Sequence, residues 1–303
     1  MKAKLPVLMQ PAPSDSKTIR VLLAEAERSL VEGPHPERAR RDAETLLLYA
    51  ISSDMPDANL AWLIAHENET IPAYANTYFR AALVRRRAGE PIQYITGEAE
   101  FYGLNFKVNR EVLIPRPETE QLVEKVIELA RGLKQPRIAD VGTGSGAIAV
   151  ALASRLPGAR IHAIDKSAAA LKVARANATR NGVAERARFH QGDLLAPVAR
   201  EQFDFIVSNP PYVADGYRDS LSVEVRDYEP AQALFAGSDG LAIYRRLIPA
   251  AFDTLFHDRY LALEIGFGQD AAVRDLLAGA GFTGIEFTKD LRGIPRVATA
   301  RRP

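Results

Sequence analysis

The feature that most constrains this fold is an alternation of short apolar runs with helical segments from residue 137 onward. We interpret the runs as strands. They are RIADV (137–141), RIHAID (160–165), ARFHQ (187–191), FDFIVS (203–208), YLALEIG (260–266) and a terminal hairpin of GIEFTKD (284–290) and PRVATA (295–300). Such alternation predicts an α/β fold, in which a doubly wound and mostly parallel sheet carries helices on both faces.

The N-terminal part of the chain has helical rather than strand periodicity, because apolar residues recur there at three- and four-residue steps. Three helices are predicted. The first ends at Gly33, the second spans Ala39–Ala50 and the third runs from about Ala73 to Ala88. One of residues 14–16 could cap the first helix. These patterns predict a small helical domain over residues 1–89, of which residues 1–13 form a loose tail.

Three consecutive arginines, Arg85, Arg86 and Arg87, close the last of these helices. Positive charge at that end complements the helix dipole, so we expect a solvated cationic last turn. A basic contact surface for a partner is the alternative interpretation.

Residues 90–116 change to a strand-like alternation and predict a linker between two domains. Within this segment, EFYGLNFKVNREVLIP predicts a hairpin with its turn around residues 109–110. Pro117 and the acidic residues after it then predict the start of a helix, because proline suits the first helical position and acids suit the first turn. The second domain accordingly covers residues 117–303.

Composition excludes several classes of protein. The 303 residues carry a formal net charge of +1, which argues against a surface built throughout to bind nucleic acid. The chain has no cysteine, so a disulfide scaffold, a thiolate zinc site and a cysteine nucleophile are excluded. Its five histidines lack the spacing of metal ligands, and we expect no metal. No apolar run approaches the ~20 residues of a membrane span, and we expect a cytoplasmic protein without a signal peptide.

A glycine-rich loop follows the first strand of the second domain and leads into an apolar helix. Its residues are Gly142, Thr143, Gly144, Ser145 and Gly146. Glycines let a ligand lie against the backbone, and the helix N-terminus favours an anionic group. Asp165 ends the next strand, where a carboxylate can accept hydrogen bonds from both ribose hydroxyls. These features predict a nucleoside cofactor, although GxGxxG/A spacing fits a dinucleotide as well and a simple capped turn is the structural alternative.

A further acidic residue follows the third strand. Asp193 could accept a hydrogen bond from an adenine amino group and Leu194 could cover the ring, because neighbouring strand ends flank the cofactor in this architecture. Aspartate is also a favoured helix cap, so a purely structural role for Asp193 stays open.

The fourth strand ends in VSNPPYVAD, which predicts a rigid binding loop. Ligands bind at the carboxyl ends of strands in open α/β sheets, so this loop should lie beside the glycine loop. Pro210 and Pro211 stiffen the backbone and offer no amide hydrogen. The Asn209 side chain and the Pro210 carbonyl oxygen therefore present two acceptors, and Tyr212 adds a flat apolar face. This set suits a planar group that bears an NH2, such as a carboxamide or a base amine.

NPPY after the fourth strand and GTGSG after the first together resemble the amino-methyltransferases that use S-adenosylmethionine. NPPY alone does not separate adenine-N6 nucleic-acid methyltransferases from protein-glutamine N5 methyltransferases. The motifs RRDAETLLLYA, IPRPETE, VRDYEPAQALFAGSDGL and GIPRVATARR resemble the peptide chain release factor glutamine methyltransferases, the HemK/PrmC family. IPRPETE favours this family over its sibling, which methylates a large-subunit ribosomal protein. The resemblance runs from about residue 40 to the end.

The resemblance implies a class I S-adenosylmethionine methyltransferase fold with seven strands and a helical N-terminal domain that helps to dock the substrate. It implies that residues 142–146 and Asp165 bind S-adenosylmethionine, together with Asp193, Leu194 and Asn209. It also implies that residues 209–212 hold a glutamine of class-one release factors, with Asn209, Pro210 and Tyr212 acting in catalysis. The products would be S-adenosylhomocysteine and N5-methylglutamine, a change that modulates translation termination.

Two further residues have open roles. Arg116, before the first helix of the second domain, either approaches the active site or pairs with a helix-end carbonyl or an acid. Glu264, near the end of the fifth strand, either contacts the substrate loop or forms a structural ion pair, because buried charges usually have partners.

Two other functions stay open besides that of the ribosomal-protein sibling. An adenine-N6 methyltransferase could use the same loop on a flipped base, but it would normally need a basic groove. A nicotinamide-dependent oxidoreductase rests on the glycine loop alone. We expect a monomer that binds neither DNA nor membranes directly.

Overall fold

The computed structural model describes residues 17–303, and the chain divides into two compact units between Thr96 and Gly97. The loose tail predicted for residues 1–13 and the helix cap predicted at residues 14–16 lie outside the described residues. The first described helix begins after Thr18, whose side chain makes no capping hydrogen bond.

The first unit is helical. Its helices are α1 (Ile19–Val31), α2 (Ala39–Ile51), α3 (Leu60–Ala65), α4 (Ala73–Arg87) and α5 (Ile92–Thr96). Helices α1, α2 and α4 confirm the three predicted from apolar spacing, whereas α3 and α5 are too short to show that periodicity. A local signal marks the start of α3, because the Asn59 side chain accepts a hydrogen bond from the Trp62 N–H at 3.1 Å.

One core joins α1, α2 and α4. Leu22, Leu46 and Phe79, one from each helix, are 3%, 0% and 1% exposed. Burying a side chain of this kind stabilises a fold by about 1.5–3 kcal/mol. The apolar stripes that predicted the helices therefore also hold them together.

The expectation of a solvated turn at the end of α4 is confirmed for Arg85 and Arg87, whose side chains are 47% and 52% exposed, but is wrong for Arg86. Arg86 is 3% exposed, and its Nε donates to Oδ2 of Asp42 in α2 at 2.5 Å. Arg87 pairs with Glu32, and Arg85 donates to both carboxylate oxygens of Glu90. Because a buried guanidinium needs a partner, the position of Arg86 depends on a residue 44 positions away in sequence, which local periodicity cannot reveal.

The second unit begins with a hairpin of β1 (Glu98–Phe101) and β2 (Leu104–Lys107). The prediction of a hairpin here is confirmed, but the predicted turn at residues 109–110 is wrong. The turn is formed by Tyr102 and Gly103, whose φ angles are 54° and 72°. Two-residue turns with positive φ match the twist of paired strands, yet tyrosine is an unusual choice for such a turn. Its backbone N–H donates to Oε1 of Glu120 at 2.7 Å, which helps to hold the conformation.

Helices and strands alternate through the rest of this unit. They are α6 (Pro117–Leu129), β3 (Arg137–Val141), α7 (Ala147–Arg155), β4 (Arg160–Asp165), α8 (Ala168–Arg180), β5 (Ala187–Gln191), β6 (Phe203–Ser208), α9 (Val223–Tyr228), α10 (Ala242–Thr254), β7 (Leu255–Glu264), α11 (Asp270–Gly279), β8 (Thr283–Lys289) and β9 (Pro295–Arg301). The predicted strands are confirmed. The fifth, β7, begins earlier than expected, and its pairing with β6 contains a register shift.

The seven strands form one sheet in the order β5-β4-β3-β6-β7-β9-β8. Strands β3 to β7 pair in parallel, and β9 joins β7 and β8 in antiparallel fashion, so the predicted doubly wound α/β fold is confirmed. The chain runs outward from β3 to β5 and then returns to β6 on the other side of β3. Such a reversal leaves a crevice at the carboxyl ends of the two central strands, where ligands bind in open α/β sheets.

Separate apolar clusters cover the two faces of this sheet. Leu122 of α6 and Leu152 of α7 belong to one cluster, and Leu247 of α10 and Leu277 of α11 belong to the other. Both faces are therefore buried, which explains why the central strands are apolar almost throughout. Across residues 17–303, no helix combines the length and the apolar character needed to cross a membrane.

Candidate active site

A cavity of about 180 Å³ lies at the carboxyl ends of β3, β4, β5 and β6. The predicted site residues in its wall are Arg116, Gly142, Thr143, Gly144, Ser145, Asp165, Asp193, Leu194, Asn209, Pro210 and Pro211. Gly146, Tyr212 and Glu264 are outside this wall. The switch in strand order thus brings together residues that are up to 95 positions apart in the chain, from Arg116 to Pro211.

The loop between β3 and α7 takes its shape from three glycines. Gly142, Gly144 and Gly146 have φ angles of 74°, 56° and 81°, where any other residue type would be strained. A Cβ on Gly142 would meet no atom within 4 Å, whereas one on Gly146 would lie 3.1 Å from the Cβ of Ala174 in α8. Gly142 and Gly144 therefore expose backbone to the cavity, and Gly146 lets α8 pack closely against the start of α7.

Asp165, at the end of β4, connects two loops. Its Oδ2 accepts from the Gly144 N–H at 2.9 Å, and its Oδ1 accepts from the Ser167 N–H at 2.8 Å. A carboxylate oxygen can accept more than one hydrogen bond, so both atoms keep acceptor capacity. Asp165 therefore holds the glycine loop in place and can still bind hydroxyl groups in the cavity that it lines.

Asp140 in β3 supports the same loop and is not among the predicted site residues. Its Oδ2 accepts from Oγ1 of Thr143 at 2.6 Å and from the Ala149 N–H at 3.1 Å. Among the described residues, no group hydrogen-bonds to its Oδ1. Complete burial raises the pKa of Asp140 to about 7, against the lowering effect of these two hydrogen bonds. The signal that could have found it is an aspartate inside the otherwise apolar run RIADV.

Asp193 and Leu194 follow β5 in the cavity wall. The Asp193 carboxylate forms an ion pair with the guanidinium of Arg246 in α10. Arg246 also lines the cavity and is not among the predicted site residues. The side chains of this pair are 56% and 54% exposed, so the pair contributes little to stability. Leu194 has a φ of 48°, an uncommon conformation for a residue other than glycine. The Asp193 side chain thus faces a cation rather than capping a helix.

The amide group of Asn209, directly after β6, is oriented by helix α6. Its Nδ2 donates to Oγ1 of Thr119 at 3.0 Å, and that hydroxyl donates to Oε2 of Glu264 at 2.6 Å. A threonine hydroxyl has one hydrogen, and here Glu264 accepts it. Asn209 must therefore turn its NH2 towards Thr119, and Oδ1 is the amide atom that remains available as an acceptor.

Tyr212 is anchored outside the cavity wall at both its side chain and its backbone. Its hydroxyl donates to Oε1 of Glu264 at 3.3 Å, and its carbonyl accepts from Nε2 of Gln269 at 3.0 Å. Burial and the nearby Glu264 raise the pKa of Tyr212 above its usual range. Glu264 itself is 2% exposed, and burial raises its pKa to about 7. The hydrogen bonds of Glu264 come from hydroxyls of α6 and of the loop after β6, rather than from the ion pair that was one of its predicted roles.

Arg116 lies in the wall of the cavity and also pairs with an acid, which was one of its predicted roles. The residue lines the cavity, and its Nη2 lies 2.5 Å from Oε1 of Glu229, at the end of α9. The Glu229 side chain is 1% exposed, and burial raises its pKa while Arg116 lowers it. The following residue, Pro230, also lines the cavity. This pair, in which Glu229 is buried and Arg116 is 32% exposed, links the segment after α9 to the segment before α6.

Comparison with known proteins defines the class. Residues 118–232 match the Methyltransferase small domain family, and residues 21–97 match the PrmC N-terminal domain family. The solved hMettl16 catalytic domain is similar in fold, with a TM-score of 0.56 at 17% identity over 82% of this chain and 94% of that one. A methyltransferase from Pyrococcus furiosus is also similar in fold, with a TM-score of 0.50 at 18% identity over 74% of this chain and 97% of that one. The protein is a methyltransferase.

More similar relatives specify the family. A release factor glutamine methyltransferase of Moorella thermoacetica is 46% identical over 87% of this chain and 91% of its own length. One from Bradyrhizobium diazoefficiens is 42% identical over 88% of this chain and 89% of its own length. One from Xylella fastidiosa is 40% identical over 88% of this chain and 95% of its own length. This chain belongs to the release factor glutamine methyltransferase family.

Proposed function

We propose that this protein transfers a methyl group from S-adenosylmethionine to the side-chain nitrogen of the glutamine in the Gly-Gly-Gln motif of class-one release factors. The observation that carries the proposal is the orientation of Asn209. Its Nδ2 is held by Thr119, and the residue lines the same cavity as the glycine loop and Asp165. An acceptor for a carboxamide NH2 thus lies in the same cavity as groups suited to a nucleoside.

The residues of this cavity fit S-adenosylmethionine. Gly142 and Gly144 expose backbone where a side chain would otherwise project, which suits close approach of the methionine part. Asp165 keeps acceptor capacity for the two ribose hydroxyls, and Asp193 and Leu194 would bind the adenine amine and cover its ring. When bound, S-adenosylmethionine supplies a methyl group that its sulfonium already activates.

The remaining chemical difficulty is the nucleophile, because the nitrogen lone pair of an amide is delocalised into its carbonyl. Oδ1 of Asn209 and the carbonyl oxygen of Pro210 would each accept one hydrogen of the glutamine NH2. These hydrogen bonds strengthen as positive charge develops on the nitrogen, so they favour the transition state over the bound substrate. Held at two points, the nitrogen keeps one face for attack along a defined direction.

A dedicated base is not required by this scheme. The nitrogen gains a carbon and must lose one proton, and an N-methylated amide cation is acidic enough to give that proton to water. The products are N5-methylglutamine and S-adenosylhomocysteine, and no metal takes part. The chain's own contribution is to orient the amide and to polarise it.

The wider assignments belong to the same proposal. We infer that residues 1–89 form a domain that docks the release factor, that residues 90–116 link the domains and that residues 117–303 carry catalysis. The protein would act in the cytoplasm as a monomer, where its substrate takes part in translation termination. Neither DNA nor a membrane surface is needed for this activity.

Mass spectrometry of a class-one release factor, incubated with the protein and S-adenosylmethionine, tests the proposal. We expect a gain of about 14 daltons, one methyl in place of one hydrogen, on the glutamine of its Gly-Gly-Gln motif. The Asn209→Ala variant is the matched control and should leave the peptide largely unmodified. Methylation of a ribosomal protein or of DNA instead, with no change in the release factor, would refute the assignment of the substrate.

A further inference from the structure

We infer that Glu264 is a positioning residue, which acts through Thr119 to fix which end of the Asn209 amide is available to the substrate. The inference rests on the proposed function, because it concerns how Asn209 performs its part. It assigns Thr119, which lies in the cavity wall, and Glu264, which lies outside that wall, to the machinery of methyl transfer.

The sheet brings together the ends of a series of hydrogen bonds that runs from Glu264 through Thr119 to Asn209, which we call the relay. Ser208 at the end of β6 pairs with Leu263 of β7, so Asn209 and Glu264 are the next residues on two adjacent parallel strands. Thr119, in the first turn of α6, supplies the hydroxyl that links them. Thr119 and Glu264 are 4% and 2% exposed, so water competes little for these hydrogen bonds.

The direction of each hydrogen bond in the relay follows from which groups can donate and which can only accept. The Tyr212 hydroxyl donates to one oxygen of Glu264 and the Thr119 hydroxyl to the other, so Glu264 only accepts. The sole hydrogen of the Thr119 hydroxyl is committed to Glu264, and its oxygen can only accept from Asn209. An ionised Glu264 therefore forces Nδ2 of Asn209 towards Thr119 and keeps Oδ1 as the acceptor.

A group at position 264 that donates would reverse the relay. If the oxygen facing Thr119 carried a hydrogen, the Thr119 hydroxyl could turn its own hydrogen towards Asn209. The Asn209 amide would then gain a partner by turning Oδ1 inward, and the NH2 that it presented would oppose the NH2 of the glutamine. Loss of the negative charge at Glu264 should thus lower turnover without removing any atom from the cavity wall.

The titratable groups around Glu264 determine the pH at which its carboxyl group ionises. Burial, together with Glu118 in α6, raises its pKa, whereas hydrogen bonds from Thr119 and Tyr212 and the charge of Arg296 in β9 lower it, to a net value of about 7. Tyr244 in α10 donates instead to the Glu264 backbone carbonyl, at 2.8 Å. Turnover should rise with pH through about 7 as Glu264 ionises.

Single substitutions test the relay. Thr119→Val keeps the shape of the side chain but removes the hydroxyl. In Glu264→Gln the Tyr212 hydroxyl still needs an acceptor, so the glutamine oxygen should face Tyr212 and its NH2 should face Thr119. Each substitution should lower kcat by about 10- to 100-fold, the size expected for one hydrogen bond to a charged group. The affinity for S-adenosylmethionine, measured by calorimetry, should stay at the wild-type value, and Thr119→Ser should restore most of the turnover. The rise of kcat with pH near 7 should disappear in Glu264→Gln.

Thr254→Val is the matched control for loss of a buried hydroxyl. Thr254 is 5% exposed at the end of α10, and its hydroxyl donates to the Ala250 carbonyl of the same helix at 2.8 Å. This variant should methylate at the wild-type rate. A loss of turnover equal to that of Thr119→Val would overturn the inference, because it would assign the effect to general destabilisation.

A double variant tests the direction of the hydrogen bonds. Asn209→Asp places an acceptor opposite the Thr119 oxygen and should be poorly active with an ionised Glu264. Adding Glu264→Gln lets the NH2 at 264 donate to Thr119 and lets Thr119 donate to the new carboxylate, so the relay is satisfied in reverse. The double variant should turn over faster than Asn209→Asp alone, a coupling that independent sites do not show.

The possible outcomes separate the inference from the proposed function. If wild-type protein methylates the release factor while Thr119→Val and Glu264→Gln match its kcat and pH profile, the relay is refuted and the proposed function stands. If wild-type protein modifies no glutamine, the proposed function fails before the relay is reached. If the losses of turnover caused by Asn209→Asp and Glu264→Gln simply add in the double variant, the assigned direction of the hydrogen bonds is refuted.

Discussion

Gly144 donates its backbone N–H to the Asp165 carboxylate at 2.9 Å, so the loop after β3 is held by the side chain that ends β4. Asp165 therefore has two roles, to shape the glycine loop and to offer acceptors to the cavity. The two roles can be separated by the choice of substitution.

Asp165→Ala should mainly weaken binding of S-adenosylmethionine. It removes the proposed ribose acceptors and the bond to Gly144, and hydrogen bonds to charged groups are worth about 1.5–3 kcal/mol each, so we expect the dissociation constant to rise at least 10-fold. Isothermal titration calorimetry measures it. Asp165→Asn keeps one oxygen acceptor and should give a smaller effect. Wild-type affinity in Asp165→Ala would contradict the ribose-binding role.

Asn209→Ala should show the opposite pattern. The variant loses the proposed acceptor for the glutamine NH2, and removing one such preorganised group typically lowers kcat by about 10²–10³-fold. Affinity for S-adenosylmethionine should change little. Single-turnover transfer of a labelled methyl group to a release factor measures the effect, and near-wild-type turnover would contradict the role of Asn209.

Glu264→Gln should stabilise the protein at alkaline pH although it impairs catalysis. The pKa of Glu264 is raised from 4.5 to about 7 in the folded state, so its stabilising contribution is fully present below 4.5 and is lost as pH rises through about 7. Above that range the buried charge costs about 3 kcal/mol, from 1.36 kcal/mol per pKa unit. Urea unfolding at pH 5 and pH 8 measures the difference. A variant less stable than wild type at pH 8 would refute the raised pKa.

The buried pair in the helical unit gives an independent prediction. Asp42→Ala removes the buried carboxylate to which the Arg86 Nε donates and should cost about 3–5 kcal/mol of folding free energy. Arg87→Ala is the control, because the pair of Arg87 with Glu32 has side chains that are 52% and 65% exposed and should be worth less than about 1 kcal/mol. Chemical denaturation of the full chain, followed by circular dichroism, compares them. An equal loss of folding free energy in Asp42→Ala and Arg87→Ala would contradict the burial of Arg86.

The sequence predicted the strands well because the sheet is buried on both faces, so its strands are apolar runs with clear ends. It also predicted that the glycine loop, Asp165 and Asn209 would meet, since a parallel sheet collects strand ends at one edge. The hairpin turn was misplaced because Tyr102 adopts a positive φ, which tyrosine does not signal.

What the sequence could not predict are contacts between distant residues. Thr119 and Glu264 are 145 positions apart, and a threonine in the first turn of a helix has no pattern that indicates such a partner. Asp42 and Arg86 are 44 positions apart, and the local pattern alone predicts that Arg86 faces solvent. Periodicity reports which face of an element is buried, but it does not report which polar groups neutralise each other in the interior.

The two prolines of the loop after β6 have a consequence for the choice between glutamine and glutamate. Because Pro210 and Pro211 lack N–H groups and Asn209 turns its NH2 towards Thr119, the groups that this loop is proposed to offer to the substrate amide, Oδ1 of Asn209 and the Pro210 carbonyl, are both acceptors. A carboxylate brings only acceptors of its own, so it would face unmatched lone pairs and like partial charge. A release factor in which that glutamine has deamidated should therefore be a poor competitor for the site, and the protein would discriminate against chemically aged substrate.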